Sequence, residues 1–297
     1  MKKRIHFNLF DVLNTIFLVV LSMTMVFPFL HVLALSLNNA LDAQRGGIYL
    51  IPRIFTFDSY YVIFQTPGLI RSSFITLSRT IVGSVTTLIL SAMFAFTFTR
   101  RDFAIYKPMK VLFIVALFFG GGGLIPRYML YNNLGLLNNF LVYILPSAIN
   151  LFFVMILRSY FLQLPYGLTE SAMLDGANEL QIFFLIVMPL SAPILAYVVL
   201  NVAVGQWNSW QDTLFFTTSS DLKTLQYQMM EVMLKSEARQ IMTRAMMALR
   251  RTGIQSTVNS KSVQMAITIV VTVPIVMVYP FLQKYFIKGI LIGSMKG

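Results

Sequence analysis

The sequence has no cysteine and only two histidines, His6 and His31. The first absence excludes disulfides, cysteine-ligated zinc and iron–sulfur clusters. The second leaves no set of imidazoles for a metal site within the chain. Charge is scarce as well: 11% of the 297 residues are Asp, Glu, Lys or Arg, against about 25% in soluble domains. Acids are the scarcer sign, 11 against 23 Lys and Arg. None of them falls inside an apolar run of spanning length. That argues against an intramembrane aspartyl protease and against a proton-coupled carrier built on buried acids. No Gly-x-x-x-x-Gly-Lys-Ser/Thr occurs, so the chain has no phosphate-cradling P-loop. The Gly120-Gly121-Gly122-Gly123 run continues into Leu-Ile-Pro-Arg and is read as a bend or a place of close helix packing. With no catalytic constellation, the chain is not expected to be an enzyme, and it is expected to hold no metal or other cofactor itself.

What is present is apolar. Hydrophobic residues make up 57% of the chain and the mean hydropathy is +0.73. A bilayer-spanning helix needs about 20 mostly apolar residues, and the sequence predicts about six such spans, at 13–35, 74–98, 111–129, 140–157, 186–204 and 263–286. Inside hydrocarbon every backbone N–H and C=O must be bonded internally, so these runs are helices. They lack the period-two alternation of barrel strands. Pro28, Pro189, Pro193, Pro274 and Pro280 mark kinks within them. The run after Met1-Lys2-Lys3-Arg4 is too long for a signal-peptide core and is read as a retained first helix. The expected fold is therefore a single all-α transmembrane domain over residues 1–297.

The net charge of +12 would suggest nucleic acid in a soluble protein. Here the cations gather at the ends of apolar runs, facing lipid headgroups and water, and no RNA- or DNA-binding module is visible. Lys2, Lys3 and Arg4, then Arg100, Arg101, Lys107 and Lys110, then Lys284, Lys288 and Lys296 share one side of a six-span topology. By the positive-inside rule that side is the cytoplasm, with both termini there and the chain multi-pass. The large outer loop, 207–262, is also basic, but charge in a loop that long constrains topology weakly.

One polar insert, 162–185, lies between the fourth and fifth spans. It reads Leu168-Thr169-Glu170-Ser171-Ala172-Met173-Leu174-Asp175-Gly176-Ala177-Asn178-Glu179. Thr169 is expected to cap a short helix that ends at Asp175 and Gly176, and a second helix starts near Asn178. Such an elbow is too polar to span and too apolar to float free, so it would lie on the membrane face or in a partner's groove.

With its spacing Glu170-Ser171-Ala172, three residues, Gly176, nine residues, Ile186-Val187-Met188-Pro189, this insert resembles the Glu-Ala-Ala loop of permease subunits in ATP-binding-cassette importers. Ser171 and Met188 depart from the family's pattern. Phe119–Pro126 with Asn133-Leu134-Gly135-Leu136, Gln206-Trp207-Asn208-Ser209-Trp210 and the ending from Tyr279 are similar to the carbohydrate branch, close to permeases for complex-polysaccharide fragments. The resemblance implies a cytoplasmic coupling helix, with Glu170, Ser171, Ala172, Asp175, Gly176 and Ala177 at the contact with an ATPase. It also implies a second permease of non-identical sequence, two ATPase subunits that bind ATP and magnesium, an external binding protein, and a place in a bacterial cell membrane.

A sugar path needs aromatic faces for C–H surfaces and amides for hydroxyls. Asn150, Asn201, Gln206, Trp207, Asn208 and Trp210 are the candidates. Each has a plainer alternative, since Trp anchors at interfaces and Asn bonds between helices. Arg79 lies more than a turn inside the second span, where it either snorkels or faces the path. Facing the path, it would favour an anionic oligosaccharide. Arg158 is expected to snorkel at the end of the fourth span. A non-transporting membrane scaffold is the alternative function, and the coupling loop separates the two.

Overall fold

The computed structural model describes residues 9–43, 45–100, 105–119, 122–249 and 260–294. Lys2, Lys3, Arg4, His6, Arg101, Gly120, Gly121 and Lys296, which enter the sequence argument, lie outside them. Among the described residues there is no β-strand, only an isolated bridge between Asn38 and Phe55. The chain divides into two compact units. One comprises residues up to Pro67 with Met229–Pro274, the other Gly68–Gln228 with residues from Ile275 onward.

The first unit opens with α1 (Leu9–Ser36), apolar throughout and burying only its last residues, Ala34, Leu35 and Ser36. Ala34 and Leu35 cluster with Ala43, of the short α2 (Ala40–Ala43), and with Ile48. Asn38 is the hub of the segment that follows. Its amide donates to Asp42 (3.0 Å) and its carbonyl oxygen accepts from Ile54 N–H (2.9 Å). α3 (Asp58–Phe64) is held to α1 through Tyr60 and Ser36, 2.8 Å apart.

In the second unit α4 (Leu69–Thr97) is the central helix. Ser72, Thr76, Arg79, Gly83, Thr87 and Ser91 recur at three- and four-residue spacing along its buried face. Small side chains on one stripe let neighbouring backbones approach closely. α5 (Tyr106–Phe118) and α6 (Leu124–Asn133) occupy the predicted third span, but the helix is interrupted between them. Phe119 has left helical geometry and Gly122 has φ +58°, a conformation that favours glycine. The fourth span is likewise composite. Two 3₁₀ turns, Phe140–Tyr143 and Leu145–Ser147, precede α7 (Leu151–Phe161) at a bend of 47°.

The polar insert forms α8 (Tyr166–Leu174) and α9 (Glu179–Gln181). A π-helical turn, Ile182–Val187, leads through α10 (Met188–Leu190) to α11 (Ala192–Asn208), with an 85° bend at Ser191 between Pro189 and Pro193. The core of this unit gathers Ala92, Ala95 and Phe96 of α4, Val154 and Leu157 of α7, Ile182 and Phe183 of the π turn, and Val198 of α11. α12 (Gln211–Phe216) follows directly, and Leu225 at the start of α13 (Leu225–Leu249) donates its N–H to Thr76 Oγ1 (2.7 Å). α14 (Ser260–Ser294) carries Pro274 and Pro280 within one long helix. By length and hydropathy α1 and α4 each suffice to cross a membrane, and so do the bent pairs 140–161 and 179–208 when each is taken whole.

Candidate functional site: a polar cavity and an outward-facing elbow

Two features of the second unit carry chemistry. The first is a cavity of about 480 Å³, within the range of about 300–1,000 Å³ typical of ligand sites. α4 contributes Arg79 and Thr87, α6 Arg127, the bent segment Tyr143, Ser147 and Asn150, α11 Asn201 and Gln206, and the turn into α12 Ser209 and Asp212. Arg79 is its fixed point. Although charged, it is 1% exposed, and every part of its guanidinium is engaged. Nε and Nη2 donate to Gln206 Oε1 (3.0 and 2.9 Å), Nη2 also to Asp212 Oδ2 (2.8 Å), and Nη1 to the Ser209 carbonyl (3.3 Å). The Tyr143 ring lies 4.4 Å from its central carbon, a cation–π distance. Gln206 in turn donates to Ser147 Oγ (2.9 Å), and Ser209 donates to Asp212 (2.7 Å). Gly83 explains why this network fits, because a Cβ there would lie 2.8 Å from the Gln206 amide nitrogen.

Arg79 therefore does not snorkel, and its charge is taken up by Asp212. The second guanidinium of the wall, Arg127, is exposed and makes no ion pair among the described residues. Two cations face one carboxylate across the cavity.

Of the residues singled out in the sequence, Arg79, Asn150, Asn201 and Gln206 come together here. Asn150 also caps α7, accepting from the N–H groups of Phe152 and Phe153. Asn201 donates to the Tyr197 carbonyl one turn back. Trp207, Asn208 and Trp210 sit at the α11–α12 junction and do not line the cavity. Sequence reasoning missed Arg127, Tyr143, Ser147, Ser209 and Asp212. Arg127 was the findable one, a lone ionisable residue within an apolar run. Arg158 is half-buried, and its Nε donates to the Phe98 carbonyl (3.1 Å) at the end of α4.

The second feature is the elbow. Thr169 does not cap α8, which begins three residues earlier at Tyr166 after Pro165. Its hydroxyl instead bonds the Tyr166 carbonyl (2.8 Å). The helix ends as the sequence suggests. Gly176 has φ +86°, its N–H reaches the Met173 carbonyl (3.0 Å), and Ala177 N–H reaches Ala172 (2.9 Å). These two bonds form a Schellman stop. Asn178 then starts α9 with a reciprocal capping box to Gln181. Ala172 and Ala177 pack on the core, while Glu170, Ser171, Asp175 and Gly176 are exposed and Leu174 is 84% exposed. Arg100, at the end of α4, pairs with Glu179 (3.1 Å) and ties the elbow to the central helix.

Residues 102–292 match the family described as binding-protein-dependent transport system inner membrane component. The chain is 35% identical to the polygalacturonan/rhamnogalacturonan transport system permease protein YtcP of Bacillus subtilis, over 98% of this chain and 99% of that protein. It is 29% identical to the arabinooligosaccharides transport system permease protein AraQ of Halalkalibacterium halodurans, over 92% of this chain and 91% of the relative. In fold it is similar to a chain in a crystal structure of a bacterial ABC transporter involved in the import of the acidic polysaccharide alginate, with a TM-score of 0.80, 24% identity and coverage of 93% of this chain and 96% of that one. The chain thus belongs to the binding-protein-dependent transport system inner membrane components, integral membrane permeases of ABC importers.

Proposed function

We propose that this permease forms, with a second and non-identical permease, the path by which an acidic oligosaccharide derived from a polysaccharide enters the cell. An external binding protein delivers the solute, and two ATPase subunits bind ATP with its magnesium and drive the cycle. In this reading the chain crosses the membrane six times with both termini in the cytoplasm, the interrupted α5–α6 pair and the two bent pairs each serving as one crossing. The elbow faces the cytoplasm and seats Glu170, Ser171, Ala172, Asp175, Gly176 and Ala177 against the ATPase.

The observation that carries the reading is the elbow itself. Its two alanines are anchored on the core, while Leu174 and the acids Glu170 and Asp175 point outward. An elbow with one face anchored and the other mixed apolar and acidic fits the groove of a partner subunit. Because Arg100 and the π turn join the elbow to α4 and α11, a push on it reaches the two helices that wall the cavity. ATP binding in one subunit then biases a two-state element in another. The cavity supports the solute class: amides and hydroxyls suit sugar hydroxyls, and Arg127 suits a uronate carboxylate.

The test is Gly176→Pro in the complete complex, reconstituted in proteoliposomes with its binding protein. Proline holds φ near −65° and cannot adopt the +86° found here. Solute uptake should be lost while the permease pair still assembles. Uptake at the unaltered rate would remove the coupling role and return a scaffold to consideration.

A further inference from the structure

A second cavity, of about 490 Å³, lies between the first turns of α5 and the last turn of α7, where α4 ends at Phe98. Its wall divides sharply by chemistry. Phe98, Phe113, Ile114, Val154 and Met155 make an apolar side, with the Phe98 and Phe113 rings 5.2 Å apart. Lys110, Arg158, Tyr106 and Ser159 make the polar side, and no acidic side chain lines the cavity among the described residues. Arg158 is aimed rather than loose. Its Nε is spent on the Phe98 carbonyl, which fixes the plane of the guanidinium and leaves the two terminal amino groups to donate. Ile114 (43%) and Met155 (48%) remain exposed beside the cavity, so its apolar side is open at the protein surface.

We infer that this cavity is a binding site for an acidic phospholipid. Lys110 and Arg158 would take the headgroup phosphate, Tyr106 and Ser159 its remaining oxygens, and the Phe98–Phe113–Met155 wall the top of an acyl chain. A soluble solute would not use the apolar side, and a neutral lipid would not use two cations that no acid among the described residues opposes. Basic pockets between helices at the cytoplasmic surface recognise anionic headgroups in this way. The inference rests on the orientation proposed above, which puts the end of α4 and the start of α5 at the cytoplasmic leaflet.

The experiment is native mass spectrometry of the intact importer, released from nanodiscs holding equal phosphatidylglycerol and phosphatidylcholine. The wild type should retain phosphatidylglycerol selectively. Lys110→Gln should lower that retention about fivefold, and Lys110→Glu further. Lys110 is exposed and bonds no other element among the described residues, so these variants keep the fold; Arg158→Lys serves as the second probe. Equal retention of both lipids, or selectivity unchanged in both Lys110 variants, overturns the site. So does loss of the bound lipid to millimolar inorganic phosphate, which marks a free-phosphate site. A cross-link from Met155→Cys to the second permease in the assembled complex overturns it too, because the cavity is then a subunit interface. Uptake assayed in parallel separates the two claims. Transport without lipid selectivity refutes only the lipid site, and lipid selectivity without transport refutes only the importer reading.

Discussion

At the scale of the residue, the second unit contains two arginines that look alike in composition and differ in what surrounds them. Arg79 is enclosed and fully partnered by Gln206, Ser209 and Asp212. Asp212 is partly exposed and water can take over its charge, but removing Arg79 strips the buried Gln206 carbonyl of its donors and leaves a void, at a cost of about 1–3 kcal/mol. Arg79→Ala should therefore lower the melting temperature of the purified complex and its yield, whatever the solute. Arg127 is exposed at the cavity wall. Arg127→Gln should leave the melting temperature unchanged and reduce uptake of uronate-containing oligosaccharides about tenfold, the loss of one charge-assisted hydrogen bond, with neutral oligosaccharides unaffected. Equal losses for both solutes would remove the anionic preference. The sequence marked Arg79 as an intramembrane charge but could not separate a structural arginine from a ligand-facing one. Its partners lie more than 120 positions away in the chain, at Gln206 and Asp212, and only folding brings them together.

At the scale of the element, the elbow was legible almost residue by residue. A glycine after an acid and a capping asparagine two positions on are local signals, and both act as read. The start of α8 was misplaced because Pro165 opens the helix by pre-setting φ, with no side-chain cap needed. The stop permits a graded test. Nothing lies within 4 Å of where a Cβ at Gly176 would sit, so Gly176→Ala suffers only the backbone penalty of the left-handed conformation, about 1–2 kcal/mol. It should lower solute moved per ATP hydrolysed without abolishing transport, and Gly176→Asn, which tolerates that conformation better, should recover much of the difference. An alanine variant as inactive as Gly176→Pro would mean that the side chain itself collides with the ATPase.

At the scale of the whole molecule, the absence of cysteine becomes an instrument. A single Ser171→Cys places one thiol on the exposed face of the elbow. In right-side-out membrane vesicles that carry the permease pair without its ATPase subunits, it should react with a membrane-impermeant maleimide only after permeabilisation. Labelling of sealed vesicles would invert the topology and detach the elbow from any cytoplasmic ATPase. The breaks in the apolar runs were less legible than the runs themselves. Pro189 and Pro193 announced the bend at Ser191, but hydropathy reads through the Gly122 interruption and the 3₁₀ turns before α7 as though the helix were continuous. The 3₁₀ turns are where irregular backbone walls the cavity, and non-helical backbone within a membrane protein is tolerated where it lines such a space.

Local physics alone settled that this chain is helical, apolar, without nucleotide- or metal-binding motifs, and equipped with a capped elbow. Helix propensity, capping and transfer to hydrocarbon act over a few residues, and those residues are adjacent in the chain. The tertiary structure decided which cation is buried against a carboxylate, which faces the cavity, and which amides share a wall with it. Those outcomes depend on distances between side chains far apart in sequence, and on a stripe of small residues along α4 close enough in size to let α7 and α11 approach.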